Sequence, residues 1–258
     1  MKTILTLTVG EFHFVDDLFL LALMVMGIFG FLFLKASSFL QVPFRSRERL
    51  ALDLAGIIAI VTSLCFFWLS RSWNNAFELA GNSYAASGHL FREDYRYVAW
   101  FLTAPLLLTA FVAALPLDAA RWRFFLPRLV IPSAAIIFFG YSVKIRSEAH
   151  GVFVPVISYL CVAVAFFYII HLLWKNIPQV LTDTTERVFQ LFLKAPRFLL
   201  ISWVMYPLID FLSSLSYFSS SSGVIFMITA YGLTDVISQC GIGIYIYELL
   251  KAQGEEVS

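Results

Sequence analysis

The chain has 258 residues, of which 60% are hydrophobic and 14% charged, with a net charge of +1 at pH 7 and a mean hydropathy of +0.83. Apolar usage so far above that of a soluble domain excludes a water-soluble globule and identifies an integral membrane protein, with the lipid bilayer as its first partner. The near-neutral charge, without a basic tail or stripe, excludes nucleic acid as a partner.

From the N-terminus, residues 1–14 carry Lys2, Glu11 and His13 and lack the charged, apolar and small-residue regions of a cleaved signal peptide. Seven apolar windows follow, at about 16–34, 52–70, 96–115, 126–144, 152–174, 196–215 and 224–250, each long enough to cross about 30 Å of hydrocarbon. The connections between them are short and polar. Residues 1–258 are therefore expected to form a single all-α domain, a seven-helix transmembrane bundle, with no internal repeat and one serine-rich turn at Ser213 to Gly223.

Loop charge predicts the orientation. Lys35, Arg45, Arg47 and Arg49 lie between the first two helices, Arg121, Arg123 and Arg128 between the third and fourth, and Lys175, Arg187, Lys194 and Arg197 between the fifth and sixth, with Lys251 after the last. The other face has Lys2, Arg71, Arg92, Lys144 and Arg146, several of them beside Glu78, Glu93, Asp94 and Glu148. The excess of basic residues places the N-terminus outside and the C-terminus in the cytoplasm of a multi-pass protein of the cell membrane.

Polar residues inside the windows are few, and their spacing is informative. On the third helix Arg96, Ala99, Trp100 and Thr103 fall on one face; Asp235 and Gln239 share a face of the seventh, and Trp203, Tyr206, Pro207 and Asp210 are spaced to share one on the sixth. An arginine and an aspartate inside a membrane are each costly unless paired, so Arg96 and Asp235 are expected to be partners, with Tyr97 and Tyr206 as hydroxyl donors to the same carboxylate. Cys65, Cys161 and Cys240 lie in apolar runs without metal-ligand spacing and are expected to act as small apolar fillers. His89, His150 and His171 have no ligand partner at metal spacing, so no metal site is expected.

Three segments carry a resemblance. Arg96-Tyr97-Val98-Ala99-Trp100-Phe101-Leu102-Thr103-Ala104-Pro105, Trp203-Val204-Met205-Tyr206-Pro207 and Asp235-Val236-Ile237-Ser238-Gln239 resemble the third, sixth and seventh helices of microbial rhodopsins, and Phe139-Gly140-Tyr141 resembles the proteorhodopsin and xanthorhodopsin branch. The resemblance implies a bacteriorhodopsin-like fold and a retinal pocket lined by Trp100, Thr103, Gly140, Trp203, Tyr206, Pro207 and, in place of an aromatic residue, Asp210. Asp210 is open to two readings, a structural hydrogen bond to a neighbouring helix or a contact to a ligand or ion. Pro105 and Pro207 are expected to kink their helices.

The departures from the family are chemical. Gln239 stands at the position of the lysine that holds retinal as a protonated Schiff base, and an amide forms no imine. Ala99 stands at the counterion aspartate and Ala110 at the cytoplasmic proton donor; a rough alignment puts Phe66 at the histidine of proteorhodopsin-like pumps. Losing the lysine and one aspartate together leaves Arg96 balanced by Asp235, whereas an aspartate at position 99 would be buried without a partner. Lys35, Lys144, Lys175, Lys194 and Lys251 lie near helix ends or loops, and so do the acids Asp53 and Glu248.

No hydrolytic triad, metalloprotease motif or phosphate-binding loop is present, so no enzymatic activity is expected. A light-driven pump is not expected, and two function classes follow: an accessory protein that assembles with other rhodopsins or with itself as a homo- or hetero-oligomer, or a noncovalent binder or sensor of retinal, a carotenoid or another apolar ligand, with passive ion conduction a weaker third and no covalent cofactor in any case.

Overall fold

The computed structural model describes residues 6–39, 46–146, 153–180, 184–213 and 220–255. Seven helices, α1 (Val9–Phe39), α2 (Ser46–Ala76), α3 (Asp94–Ala113), α4 (Ala119–Arg146), α5 (Phe153–His171), α6 (Glu186–Ser213) and α7 (Ser221–Glu255), form a bundle, and all seven are long and apolar enough to span a membrane. Helices are the expected solution, because a chain in hydrocarbon must satisfy its backbone N–H and C=O groups within itself. The seven-helix, all-α bundle expected from the sequence is what the chain adopts.

Most helices run past their hydrophobic windows, since polar residues end an apolar window without ending a helix. The start of α1 is set by Thr8 and Glu11. The Glu11 carboxylate accepts from the Thr8 backbone N–H at 2.8 Å while the Thr8 hydroxyl accepts from the Glu11 N–H at 3.1 Å. This reciprocal cap satisfies two N–H groups that a helix start leaves free. At its far end α5 continues as a π-helical turn, Leu172–Asn176, closed by Ile177 N–H donating to the Leu172 carbonyl at 3.0 Å.

A three-stranded antiparallel sheet, absent from the sequence-based expectation, covers one end. Strands β1 (Thr6–Thr8), β2 (Phe77–Ala80) and β3 (Ser83–Ala86) lie in the order β1-β3-β2, with Gly81 at φ +66° in the tight β2–β3 turn. Phe12 of α1 anchors this sheet: its ring stacks on Tyr84 at 3.8 Å, and its carbonyl accepts from the Trp73 indole at 3.2 Å. We call this the hairpin end.

Helices α1 and α2 pack closely. A methyl group on Gly56 would lie 2.5 Å from Leu34 Cγ and one on Gly30 2.8 Å from Ile60 Cγ1, so these two glycines let the helices approach closely. The interior divides into two apolar clusters. One, at the hairpin end, includes Phe12, Phe19, Phe66, Trp73 and Ala99; the other, in the opposite half, includes Leu108, Phe111, Leu129, Phe192 and Leu250. The apolar stretches of α1, α4 and α5 are less than one-third buried, as expected for helices with faces turned to lipid. Lys2, His150 and residues 214–219 of the serine-rich segment lie outside the described residues.

Candidate functional site

The polar residues that the helical spacing singled out meet in the hairpin half of the bundle. Asp235, on α7 and 2% exposed, accepts three hydrogen bonds: from Arg96 Nη1 at 2.5 Å, from the Trp100 indole at 2.7 Å and from the Tyr206 hydroxyl at 2.9 Å. Two helices, α3 and α6, thus donate to one carboxylate on a third. Arg96 is 4% exposed and lies between two aromatic faces, with its guanidinium carbon 5.7 Å from the rings of both Phe66 and Tyr231. A close ion pair with extra donors on the acid is the arrangement that makes buried charge tolerable, and the flanking rings add cation–π attraction. Arg96 Nη2 is buried without a hydrogen-bond partner among the described residues.

One turn along α7, Gln239 is buried, and its side-chain oxygen accepts a hydrogen bond from the Thr62 hydroxyl of α2. Ala99, Thr103 and Ala110 are buried on α3, Ala110 completely. Position 239 therefore holds an amide whose carbonyl is engaged, and position 99 a methyl group.

Three expectations are altered by the geometry. Tyr97 does not reach Asp235; its ring packs on Tyr141 at 5.0 Å and on Trp100 at 5.1 Å. On α6 the inward row is Ser202, Tyr206 and Ile209, so Trp203 is half-buried while Pro207 and Asp210 are exposed. The expected common face of Trp203, Tyr206, Pro207 and Asp210 is therefore turned by about one residue: Tyr206 points inward and Pro207, about 100° further round, does not. Asp210 sits at the α6–α7 rim, where its carboxylate accepts from the Tyr231 hydroxyl. This contact is of the structural kind. Gly140 on α4 is half-buried, and a methyl group there would meet nothing within 4 Å.

Thr62 and Tyr231 are site residues that the sequence reading missed. Thr62 lies four residues before Phe66, on the same face of α2. Tyr231 lies four residues before Asp235 on α7. Those spacings were the available signal.

Comparisons with known proteins agree with this architecture. A family model described as bacteriorhodopsin-like protein matches residues 13–253. The structure of thermophilic rhodopsin superposes with a TM-score of 0.90 at 27% identity, covering 99% of this chain and 100% of that one. Xanthorhodopsin, a light-driven ion pump with dual chromophore, superposes with a TM-score of 0.89 at 24% identity, covering 99% of each chain. Exiguobacterium sibiricum rhodopsin gives 0.75 at 21% identity, covering 94% of this chain and 98% of that one. The last two likenesses are of fold alone. No curated protein matches the chain.

Proposed function

The chain belongs to the bacteriorhodopsin-like protein family, and from that premise we propose that it forms no retinal Schiff base and pumps no ions, acting instead as a non-enzymatic accessory protein that assembles with other rhodopsins or with itself. The observation that carries this reading is the closed polar site. Asp235 is taken up by Arg96, Trp100 and Tyr206, and Gln239 by Thr62. A Schiff base needs a primary amine at the bundle centre, and Gln239 supplies none. Lys35, Lys175, Lys194 and Lys251 lie toward the ends of the bundle. A covalently held retinal does not fit these residues.

The same reading accounts for the missing carboxylates. With Ala99 and Ala110 where a pump of this family has a counterion and a proton donor, no acid on that face of α3 receives or relays a proton. The charge that remains, Arg96 with Asp235, is balanced without a chromophore. The excess of basic residues in the loops supports an orientation with the hairpin end outside the cell and the C-terminus in the cytoplasm.

A second reading, noncovalent binding of retinal, a carotenoid or another apolar molecule, is favoured by the aromatic residues Trp100, Trp203 and Tyr206. An absorption spectrum of the purified protein with and without all-trans-retinal, followed by borohydride reduction, tests both. The proposal expects no visible band and no reduced adduct on the protein; near-ultraviolet absorbance that copurifies and extracts into solvent would favour the noncovalent reading. A visible band that borohydride bleaches into a near-ultraviolet adduct covalently held by the protein would overturn both. In the variant Gln239→Lys with Ala99→Asp, recovery of a visible pigment is expected if the aromatic walls can still accept retinal. Copurification with a coexpressed lysine-bearing rhodopsin, or a stable homo-oligomer, tests the assembly half of the proposal.

A further inference from the structure

The hairpin end carries a cleft of about 890 Å³ that the polar site does not use. One wall is α2, through Trp68, Arg71 and Asn75; the other is the segment that leads from β3 into α3 and includes His89, Arg92 and Tyr95. The two arginines differ. Arg92 is held by Asp94, with Nε–Oδ1 at 3.3 Å and Nη2–Oδ2 at 2.7 Å, and its guanidinium carbon lies 4.9 Å from the Tyr95 ring. Arg71 has no carboxylate among the described residues and meets only the ring of Phe67, at 6.0 Å. The cleft therefore holds one cation whose charge is not compensated.

Its position relative to the membrane is equally specific. Arg71 lies five residues before the α2 end at Ala76, about 7.5 Å along the axis. Below it on the same face Trp68 and Leu64 are 50% and 56% exposed, and on the neighbouring α3 Val98 and Leu102 are 62% and 50% exposed. A continuous apolar surface thus leads up to an unpaired arginine flanked by tryptophan and tyrosine, the residues that gather at the membrane–water boundary.

We infer that this cleft binds an anionic phospholipid, with its phosphodiester at Arg71 and its acyl chains along the exposed faces of α2 and α3. A free anion is the weaker occupant, because one exposed arginine does little to hold an ion that water solvates equally well. A lipid is already confined to the surface, and there one arginine suffices to sort anionic from neutral headgroups about fivefold. The inference rests on the membrane-spanning fold and is independent of the proposed loss of retinal chemistry.

The test is native mass spectrometry of the full chain in detergent, offered phosphatidylglycerol and phosphatidylcholine of identical acyl chains at equal concentration. The wild type is expected to retain phosphatidylglycerol about fivefold over phosphatidylcholine; Arg71→Ala should bring the ratio to one, and Arg71→Lys should keep it. Trp68→Ala should lower retention of both lipids without changing the ratio. Arg121→Ala, at the opposite end of the bundle, should change nothing. No preference in the wild type, an unchanged ratio in Arg71→Ala, or a preference abolished by millimolar inorganic phosphate would overturn the inference, the last by identifying a free anion as the occupant. Should Arg71→Ala fail to fold, Arg71→Gln removes the same charge with less change in bulk.

Discussion

In the hairpin half of the bundle the interior contains a full ion pair, with Arg96 and Asp235 both buried and served by Trp100 and Tyr206, and Gln239 held by Thr62. In the opposite half the buried cluster is built from Leu108, Ala110, Phe111, Leu129 and Phe192, and among the described residues no carboxylate or cation is buried there. Both halves are helices in hydrocarbon, yet they are specified differently. The apolar half depends on shape, and each side chain contributes in proportion to the space it fills. The polar half depends on satisfaction, where a partner removed costs more than the pair is worth, because the remaining charge cannot reach water.

That contrast is broken most directly at the ion pair. Asp235→Asn and Arg96→Gln are each expected to lower stability by about 3–5 kcal/mol, as for any buried pair cut on one side. The double variant should recover much of the loss, since neither stranded charge remains. A double-mutant cycle of thermal unfolding in detergent measures this, and strictly additive single effects would show that the pair is not a unit.

The apolar half should behave additively. Leu108→Ala, at a site with no exposure, should cost about 3 kcal/mol through the cavity it leaves. Combined with Asp235→Asn, the loss should be the sum of the two within about 0.5 kcal/mol, if the halves are independent. A large coupling in the same assay would mean that the halves are packed as one element.

The smallest effect sharpens the comparison at the exposed edge of the apolar half. Asp118 caps α4, accepting from the N–H groups of Arg121 at 2.8 Å and Ala120 at 2.9 Å. These bonds, that to Arg121 foremost, hold its carboxyl below the ordinary value of 3.8. Because folding lowers this pKa, the contribution is complete above the ordinary value and is lost as pH falls through the lower folded one. Thermal melts of the wild type and Asp118→Leu should therefore differ slightly at neutral pH and converge in acid. A difference that persists in acid would assign the effect to something other than the carboxylate.

Much of this architecture was legible because membranes punish exceptions. The helices announce themselves as apolar windows, and Arg96 and Asp235 as intramembrane charges that need a counter-charge. Gln239, Ala99 and Ala110 are equally plain as residue identities. Thr62 was hard to read, since its spacing from Phe66 was the one signal and a threonine in a helix can equally bond to its own backbone. The hairpin was missed because strands of three or four residues carry too short an alternation to stand out beside long apolar runs, although Thr8 and Glu11 mark the adjoining helix start clearly.

The sequence by itself determined the membrane class, the seven helices and the absence of an amine at position 239, because these depend on residue type and on spacing along one chain. Only the tertiary structure decided the rest. It turned α6 so that Tyr206 faces Asp235 while Asp210 goes to the rim beside Tyr231, it brought Thr62 to Gln239, and it left Arg71 without a carboxylate partner among the described residues. Helix rotation and the distance between helices are set by side chains from several segments packing at once, and no single segment encodes them.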